Sequence, residues 1–342
     1  MFEVRKLRWV PHMTTRNLLD PEILPALEAF PDFSLNVDGL PMLRAAALNQ
    51  VQLAQAASFN VERLEIVVPP INDDNPPVRC LVYHPQALAS GSGAYLHLHG
   101  GGYILGTPED SDQHNVRLSS SLGIVVVSVD YRLAPEHPAP AALLDSYAVL
   151  AWMHTTAADL KISPDRIAVG GESAGGGLAA ALSLYARDQG RYPICFQALT
   201  YPMLDDRTGT QHHPADPLTG EFVWTRERNQ LAWSYYLGAS DPASPIVPAR
   251  ADDLRDLPPT WLSTASHDLF RDENIDFAQR LLRAGISTEF NIYPGTCHGF
   301  QMASVANVTK RYLRDHAEAL SRGWNAFGLE PLLQKMLETT LR

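Results

Sequence analysis

The sequence predicts an α/β protein in which helices cover both faces of a mainly parallel β-sheet. From residue 59 onward, short runs rich in β-branched residues alternate with Ala/Leu-rich stretches of helical character, an order typical of such sheets. The run GIVVVSV at 123–129 is apolar almost throughout, as expected of a central strand buried on both faces. The 342 residues suffice for one large domain with an appendage.

Eight runs are predicted as strands, and four stretches between or beyond them as helices. The first two strands are separated by PPINDDNPP without a helix, which indicates an antiparallel hairpin at one edge of the sheet. The strands are VERLEIVV, VRCLVYH, AYLHLHG, GIVVVSV, RIAVGG, FQALTYP, TWLSTAS and TEFNIYP. The helices are AALLDSYAVLAWMHT, GGLAAALSLYARDQG, RERNQLAWSYYLG and NIDFAQRLLRAG.

Two regions fall outside this alternation and are predicted to form a cap. Residues 1–58 are helical in pattern and interrupted by Pro, and they precede the main domain at 59–342. Residues 204–236 begin without any periodicity and end in a helix-like run. Because long irregular insertions in compact α/β proteins are typical of binding sites, we expect 204–236 to contribute to the cap.

Composition disfavours several classes of function. The formal net charge is −11 and there is no extended Lys/Arg run, whereas a nucleic-acid partner would require a basic surface. No segment approaches the ~20 apolar residues of a membrane span, and the N-terminus lacks the apolar run of a signal peptide. The three cysteines are far apart, which suits a reducing compartment. We therefore expect a cytoplasmic protein with no nucleic-acid partner and no membrane span.

The motif GESAG at 171–175 carries the first candidate for chemistry. It lies between a predicted strand and a predicted helix, the setting in which G-x-S-x-G forms a sharp turn that exposes the serine. A serine hydroxyl alone is a poor nucleophile and requires a base and an orienting acid. Ser173 is therefore the predicted nucleophile.

The base and the acid are sought downstream, because in this topology they follow the serine in the order acid, then histidine. His298 follows the last predicted strand, and Asp268 follows the strand before it, so both should lie at the sheet edge that carries Ser173. Asp272 and Asp276 are rivals for the acid, but they lie further into the following helix and are expected to cap or solvate it.

Three consecutive glycines after His99 suggest a backbone that binds an oxygen. Attack on a carbonyl creates an oxyanion, and each preorganised N–H donor stabilises it by roughly 3–4 kcal/mol. We expect the amides of Gly101, Gly102 and Ala174 to form this oxyanion hole. His99 is expected to hold the loop by hydrogen bonding rather than to act as a base.

Together these motifs resemble the hormone-sensitive-lipase-like esterases, the bacterial family IV of the α/β-hydrolases. The resemblance covers the chain from about residue 20 and rests on HGGGY, DYRLAPEHPAPAAL, GGESAGG, LTYPMLDDR, HDLFRDEN and CHGF. It implies an α/β-hydrolase fold with an eight-stranded, mostly parallel sheet and a helical cap. It also implies hydrolysis of short- to medium-chain acyl esters by Ser173, His298 and Asp268 without a cofactor or metal, with Glu136 as a scaffold.

The sequence departs from the family pattern at two places. Leu269 and Phe270 follow Asp268 where the family often has Pro-Leu, so the loop there is expected to differ slightly. Glu172 precedes the serine where Asp or Thr is also common, and the sequence offers no account of its effect. Cys297, next to His298, is expected to be structural.

The substrate pocket and the oligomeric state are less well defined by the sequence. Five residues are predicted to line the pocket, namely Tyr103, Leu40, Met42, Phe222 and Trp224, although ordinary packing of the cap explains them as well. The resemblance also suggests a homodimer formed through the edge strand TEFNIYP.

Three alternatives remain open at this stage. The same chemistry could act on an amide, a lactone or an N-acyl group, because no sequence feature reveals how the leaving group is protonated. A ligand receptor on the same scaffold is a second alternative, although receptors of this type lack the catalytic histidine. A metal enzyme that uses His212, His213 and Asp216 is the third, but these residues have no ordered ligand spacing.

Overall fold

The computed structural model describes residues 14–31, 35–50 and 53–325, and its centre is one eight-stranded sheet. The strand order is β1-β2-β4-β3-β5-β6-β7-β8. All eight predicted strands are present: β1 Val61–Val68, β2 Val78–Pro85, β3 Ser92–Leu98, β4 Val125–Val129, β5 Ile162–Glu172, β6 Phe196–Thr200, β7 Thr260–Ala265 and β8 Thr288–Tyr293.

Most of the sheet is parallel, and its antiparallel part lies at one edge. β1 and β2 form the predicted hairpin, with Val61 opposite Pro85 and Val68 opposite Val78. β2 also pairs antiparallel with β4, while the pairs from β4 through β3 to β8 are parallel. Because parallel strands end at the same edge, the loops after β3, β5, β7 and β8 meet there.

Helices cover both faces of the sheet, as predicted. One face packs against α4 (Ala141–Thr155), α5 (Ala174–Gln189) and α7 (Arg271–Arg283), and the other against α3 (Asp112–Leu122) and α8 (Asn307–Asn325). The sequence pattern missed α3, whose polar sequence DQHNVRLSSSL lacks a clear apolar period. The helices are α1 Leu24–Ala29, α2 Leu40–Gln50, α3 Asp112–Leu122, α4 Ala141–Thr155, α5 Ala174–Gln189, α6 Arg226–Leu237, α7 Arg271–Arg283 and α8 Asn307–Asn325.

Side chains alternate between the two faces along the central strands. In β3, Leu96 and Leu98 join the hydrophobic cluster under α4 and α5, whereas Tyr95 joins the cluster under α3 and α8. His97 lies on the same face as Tyr95, because successive side chains of a strand point to opposite faces. The α3/α8 face therefore carries polar side chains at the carboxyl end of the sheet.

The region predicted as a cap contains α2 and α6, joined to the main domain by polar contacts. Arg44 of α2 donates to the carbonyl oxygens of Ile104 and Ala134 at 2.9 and 2.8 Å and pairs with Glu136 at 2.8 Å. Glu136 thus has the scaffold contact that the resemblance implies. The segment between β6 and α6 contains turns and an isolated bridge but no helix. The predicted boundaries at 58, 204 and 236 stay predictions, and residues 1–13 lie outside the described residues.

Within the described ranges, no helix has the length and apolar character needed to cross a bilayer. The cysteines are unpaired thiols, two of them buried.

Candidate active site

Ser173 lies in a strained turn between β5 and α5. Its φ is 58° and its ψ is −121°, a conformation that side chains rarely adopt. The turn packs closely on the end of β3, because a Cβ at Gly171 would lie 2.0 Å from the carbonyl oxygen of Leu98, and one at Gly175 would lie equally close. Only glycine is small enough at these two positions, which explains the G-x-S-x-G pattern.

Backbone hydrogen bonds hold the serine to the next strand. Its amide donates to the carbonyl of Thr200 at 2.9 Å, and its carbonyl accepts from the amide of Met203 at 3.0 Å. Such bonds fix the turn from the β6 side and offset part of its conformational cost. The Ser173 hydroxyl is therefore presented by a rigid backbone.

The structure brings Ser173, His298 and Asp268 into one hydrogen-bonded row. His298 Nε2 lies 2.9 Å from Ser173 Oγ, and His298 Nδ1 lies 2.7 Å from Asp268 Oδ2. Because a carboxylate only accepts, Nδ1 donates to Asp268, and Nε2 is left to accept the serine proton. Ser173 and His298 are each 6% exposed and Asp268 is fully buried.

The residues after Asp268 explain why the departure from Pro-Leu leaves this geometry intact. The amide of Phe270 donates to Asp268 Oδ1 at 2.9 Å, so the second carboxylate oxygen is also occupied. The Phe270 ring meets the His298 imidazole edge-on, with 5.2 Å between centroids. Leu269 and Phe270 are both buried. Phe270 thus holds the acid through its backbone amide and the imidazole through its ring.

Aromatic rings enclose the imidazole on its other sides. Tyr201 lies 4.7 Å and Trp224 6.3 Å from the His298 ring, measured between centroids. The Trp224 indole also covers the glycine loop, because a Cβ at Gly102 would lie 2.3 Å from its ring. Its Nε1 donates to Asn229 at 3.1 Å, which fixes the ring. Trp224 is the predicted pocket residue that the structure brings to His298 and the glycine loop.

The three amides predicted as oxyanion donors lie at the ends of two adjacent strands. Gly101 and Gly102 follow β3, and Ala174 follows Ser173. Gly101 has φ of +116°, and a Cβ there would lie 2.1 Å from the carbonyl oxygen of Leu105. In residues 14–31, 35–50 and 53–325, nothing accepts a hydrogen bond from these three amides. All three are therefore free to bind an oxygen.

His99 supports the glycine loop from within. Its Nδ1 donates to the carbonyl of Gly100 at 2.8 Å, and its ring stacks on Tyr131 with 4.1 Å between centroids. The Tyr131 hydroxyl donates to the His99 carbonyl at 2.7 Å. Burial lowers the pKa of His99 to about 4, so its imidazole is neutral and serves as a fixed donor.

The other predicted pocket residues have different surroundings, and their contact with a substrate stays a prediction. Leu40 belongs to the same hydrophobic cluster as Trp224. Tyr103 stacks on Tyr236 at 3.8 Å and donates its hydroxyl to the Met203 carbonyl, so its ring and hydroxyl are already used in packing. Met42 is 76% exposed. Phe222 is half-buried and stays a prediction.

The rival residues occupy other environments. Asp272 is exposed and accepts from Arg271, and Asp276 is also exposed. Asp216 pairs with Arg271 at 3.2 Å. Over the described part of the chain, no three His, Cys, Asp or Glu side chains are close enough together to hold a metal ion. Cys297 is buried, and burial raises the pKa of its thiol to about 12, which makes it unreactive at neutral pH.

Sequence reasoning missed two contacts near the serine. Tyr201 follows β6 and packs on His298, and its position at a strand end was the available signal. Glu172 pairs with His97, with 3.0 Å between Oε2 and Nε2. The alternation of side chains along β3 and β5 could have placed these two on one face, but not shown their contact.

Comparison with known proteins agrees with the fold. A family model described as alpha/beta hydrolase fold matches residues 95–302. Carboxylesterase NlhH of Mycobacterium tuberculosis is 35% identical over 292 residues, which cover 82% of this chain and 88% of that protein.

Solved structures of esterases are also similar. A bacterial heroin esterase has a TM-score of 0.82 and 40% identity and covers 91% of this chain and 99% of its own. Esterase LipW from Mycobacterium marinum has a TM-score of 0.80 and 33% identity, with 90% and 97% covered. With the eight-stranded sheet and the G-x-S-x-G turn, these likenesses show that the chain belongs to the α/β-hydrolases, among the hormone-sensitive-lipase-like carboxylesterases.

Proposed function

We propose that this protein hydrolyses short- to medium-chain acyl esters through an acyl-enzyme intermediate on Ser173. The observation that carries the proposal is the row of hydrogen bonds from Ser173 through His298 to Asp268, with distances of 2.9 and 2.7 Å. The free amides at the adjacent strand ends supply the second requirement, a place for the oxyanion.

The reaction proceeds in two similar steps. Ser173 Oγ attacks the ester carbonyl carbon while His298 Nε2 takes the hydroxyl proton, and Asp268 stabilises the imidazolium. The carbonyl oxygen becomes an oxyanion held by the amides of Gly101, Gly102 and Ala174, until the C–O bond to the alcohol breaks and Nε2 returns the proton to the leaving oxygen. A water molecule then attacks the acyl-enzyme with the same assistance and releases the acid.

Variants of Ser173 test the assignment of the nucleophile. We expect Ser173→Ala to fold normally and to lose measurable turnover of p-nitrophenyl acetate. Neither His298 nor Asp268 can replace the serine hydroxyl in forming the acyl-enzyme. Thermal unfolding would establish that the variant is folded. Near-normal turnover by folded Ser173→Ala would contradict the proposal.

Substrate range is tested with p-nitrophenyl esters of increasing acyl length, beside an anilide and a lactone. We expect kcat/KM to be highest for short or medium acyl chains. Folded protein that binds a small acid but turns over no ester would instead be a receptor.

Two further expectations belong with this proposal. A homodimer through β8 is supported by the position of that strand at the sheet edge and by the 45% exposure of Ile292, and sedimentation velocity tests it. A cytoplasmic location is supported by the unpaired thiols, which are usual in a reducing compartment.

A further inference from the structure

Glu172, the residue before the nucleophile, makes a contact that the proposed mechanism does not use. It ends β5, is buried, and its Oε2 lies 3.0 Å from Nε2 of His97 on β3. In the β3/β5 ladder His97 is level with Gly170. Glu172, two residues further on the same face, therefore reaches the imidazole diagonally. Because a carboxylate only accepts, His97 donates through Nε2.

The imidazole of His97 is held on its other side as well. Its Nδ1 lies 2.9 Å from Oγ of Ser128 on β4 and 3.2 Å from Nδ2 of Asn115 on α3. Ser128 is also the register partner of His97 in the β3/β4 pair. One row of hydrogen bonds thus crosses β4, β3 and β5 on the α3/α8 face, and His97 at its centre is fixed at both nitrogens.

This row ties together the two strand ends that carry the proposed site. β3 continues into the loop with the amides of Gly101 and Gly102, and β5 continues into Ser173. The backbone pairing of β3 and β5 ends at Leu98 and Gly171. Beyond that pair, the glycines of the turn at Ser173 and of the loop after β3 provide no side chains that could hold the two strand ends together. The bond between Glu172 and His97 ties the first residue of β5 beyond this pair to a residue within the paired part of β3.

The carboxylate is a fixed charge in a layer rich in imidazole and phenol groups. Burial by itself raises the pKa of Glu172, but the neighbouring His97, with smaller contributions from His114 and His316, lowers it to about 2. A buried carboxylate without such a partner would be strongly destabilising. The titratable groups that interact with it are His97, His99, His114, His316, Tyr95, Tyr131, Tyr201 and Tyr312.

We infer that Glu172 is a positioning residue that, through His97, holds Ser173 in register with the amides of Gly101 and Gly102. The inference rests on the proposed function, because it concerns the alignment of that nucleophile with that oxyanion site. Attack requires the carbonyl carbon within reach of Oγ and its oxygen within hydrogen-bonding distance of amides on the other strand end. A small relative shift of the two ends would therefore reduce kcat with little effect on ester binding.

Two conservative variants separate the effect of the length of the Glu172 side chain from the effect of its charge. Glu172→Gln keeps the length and an oxygen acceptor for His97 Nε2 but removes the charge. Glu172→Asp keeps the charge but is one methylene too short for the 3.0 Å contact. We expect Glu172→Gln to keep kcat for p-nitrophenyl acetate within about threefold, and Glu172→Asp to lose about 10–100-fold of kcat with KM nearly unchanged.

A matched control shows whether a loss is merely structural. Asp112 is a buried carboxylate on the same face, bound by Arg63 and Tyr83 at 2.9 Å each, and it lies on α3, outside the glycine loop and the turn at Ser173. We expect Asp112→Asn to lower the unfolding temperature at least as much as Glu172→Asp while kcat stays normal. A common loss of kcat in Asp112→Asn and Glu172→Asp would overturn the inference.

Other results overturn the inference as well. If Glu172→Asp retains normal kcat, the contact is not needed for alignment. If Glu172→Gln is as slow as Glu172→Asp, the charge matters rather than the tie to His97. Neither result affects the proposed function, which fails instead if Ser173→Ala keeps its esterase activity.

Discussion

The sheet edge around Ser173 and the cap beside it are held by different kinds of interaction. At the sheet edge, Ser173 and Asp268 are fixed by backbone amides, and His298 bridges them. In the cap, α2 is joined to the main domain through long side-chain contacts such as those of Arg44. Strand ends leave little room for movement, whereas a helix attached by side chains can shift with its substrate. We therefore expect chemistry to depend on the first region and substrate preference on the second.

The largest effect is expected at the sheet edge, from Asp268→Asn. The asparagine amide would face His298 Nδ1 as a donor and favour the tautomer protonated at Nε2, which cannot accept the serine proton. We expect kcat to fall by about 10⁴ while the fold is retained. Steady-state turnover of p-nitrophenyl acetate measures the loss, with circular dichroism as the check on folding.

Asp272→Asn is the matched control for this prediction. Asp272 is four residues away and exposed, so its variant should have normal kcat. If folded Asp268→Asn kept kcat within tenfold of the original value, chemistry would not depend on the sheet edge more than on the cap.

A smaller effect, on preference rather than on chemistry, is expected from Trp224→Leu. The indole lies against Gly102 and near His298, so a smaller side chain opens space beside the reacting carbonyl. We expect kcat/KM for the octanoate ester, relative to the acetate ester, to rise by about tenfold. Parallel assays of the p-nitrophenyl series measure this ratio.

The control for this variant is Trp152→Leu in α4, a half-buried tryptophan on a helix that covers the sheet. It should leave the ratio of the two esters unchanged. An unchanged ratio in folded Trp224→Leu would show that this part of the cap does not limit acyl length.

The attachment of α2 is tested by Arg44→Met, which removes the donors to the carbonyls of Ile104 and Ala134. Because hydrogen bonds from a charged group contribute about 1.5–3 kcal/mol, we expect the free energy of unfolding to fall by that amount. kcat/KM should fall less than in Asp268→Asn. Urea denaturation measures the first quantity.

Glu136→Gln separates the ion pair from the carbonyl contacts of Arg44. The Glu136 side chain is 49% exposed, and exposed pairs contribute about 0–1 kcal/mol. Its variant should therefore be close to the original protein in stability. Arg44→Met removes the ion pair together with the carbonyl contacts. A loss in Glu136→Gln as large as that in Arg44→Met would therefore show that the ion pair, not the carbonyl contacts, attaches α2.

The same difference between the regions determined what could be predicted from the sequence. Ser173, Asp268 and His298 can be located by their places after β5, β7 and β8, because parallel topology brings the carboxyl ends of these strands to one edge. The pocket residues had no such constraint, because the cap segments lack a regular period. Leu40 and Met42 are two positions apart on α2, yet Leu40 is buried and Met42 is exposed. The contact between Glu172 and His97 was not predicted, because the register between β3 and β5 cannot be read from the sequence of either strand alone.

The smallest effect is expected from Met42→Ala, which tests whether exposure alone identifies a cap residue without a role in binding. The side chain is 76% exposed, and surface substitutions of this kind change stability by about 0.5 kcal/mol or less. We expect kcat/KM to stay within about twofold for both acetate and octanoate esters. A selective loss with the octanoate ester would mean that α2 closes over long acyl chains. The cap would then hold its substrate through a side chain that faces solvent when the site is empty.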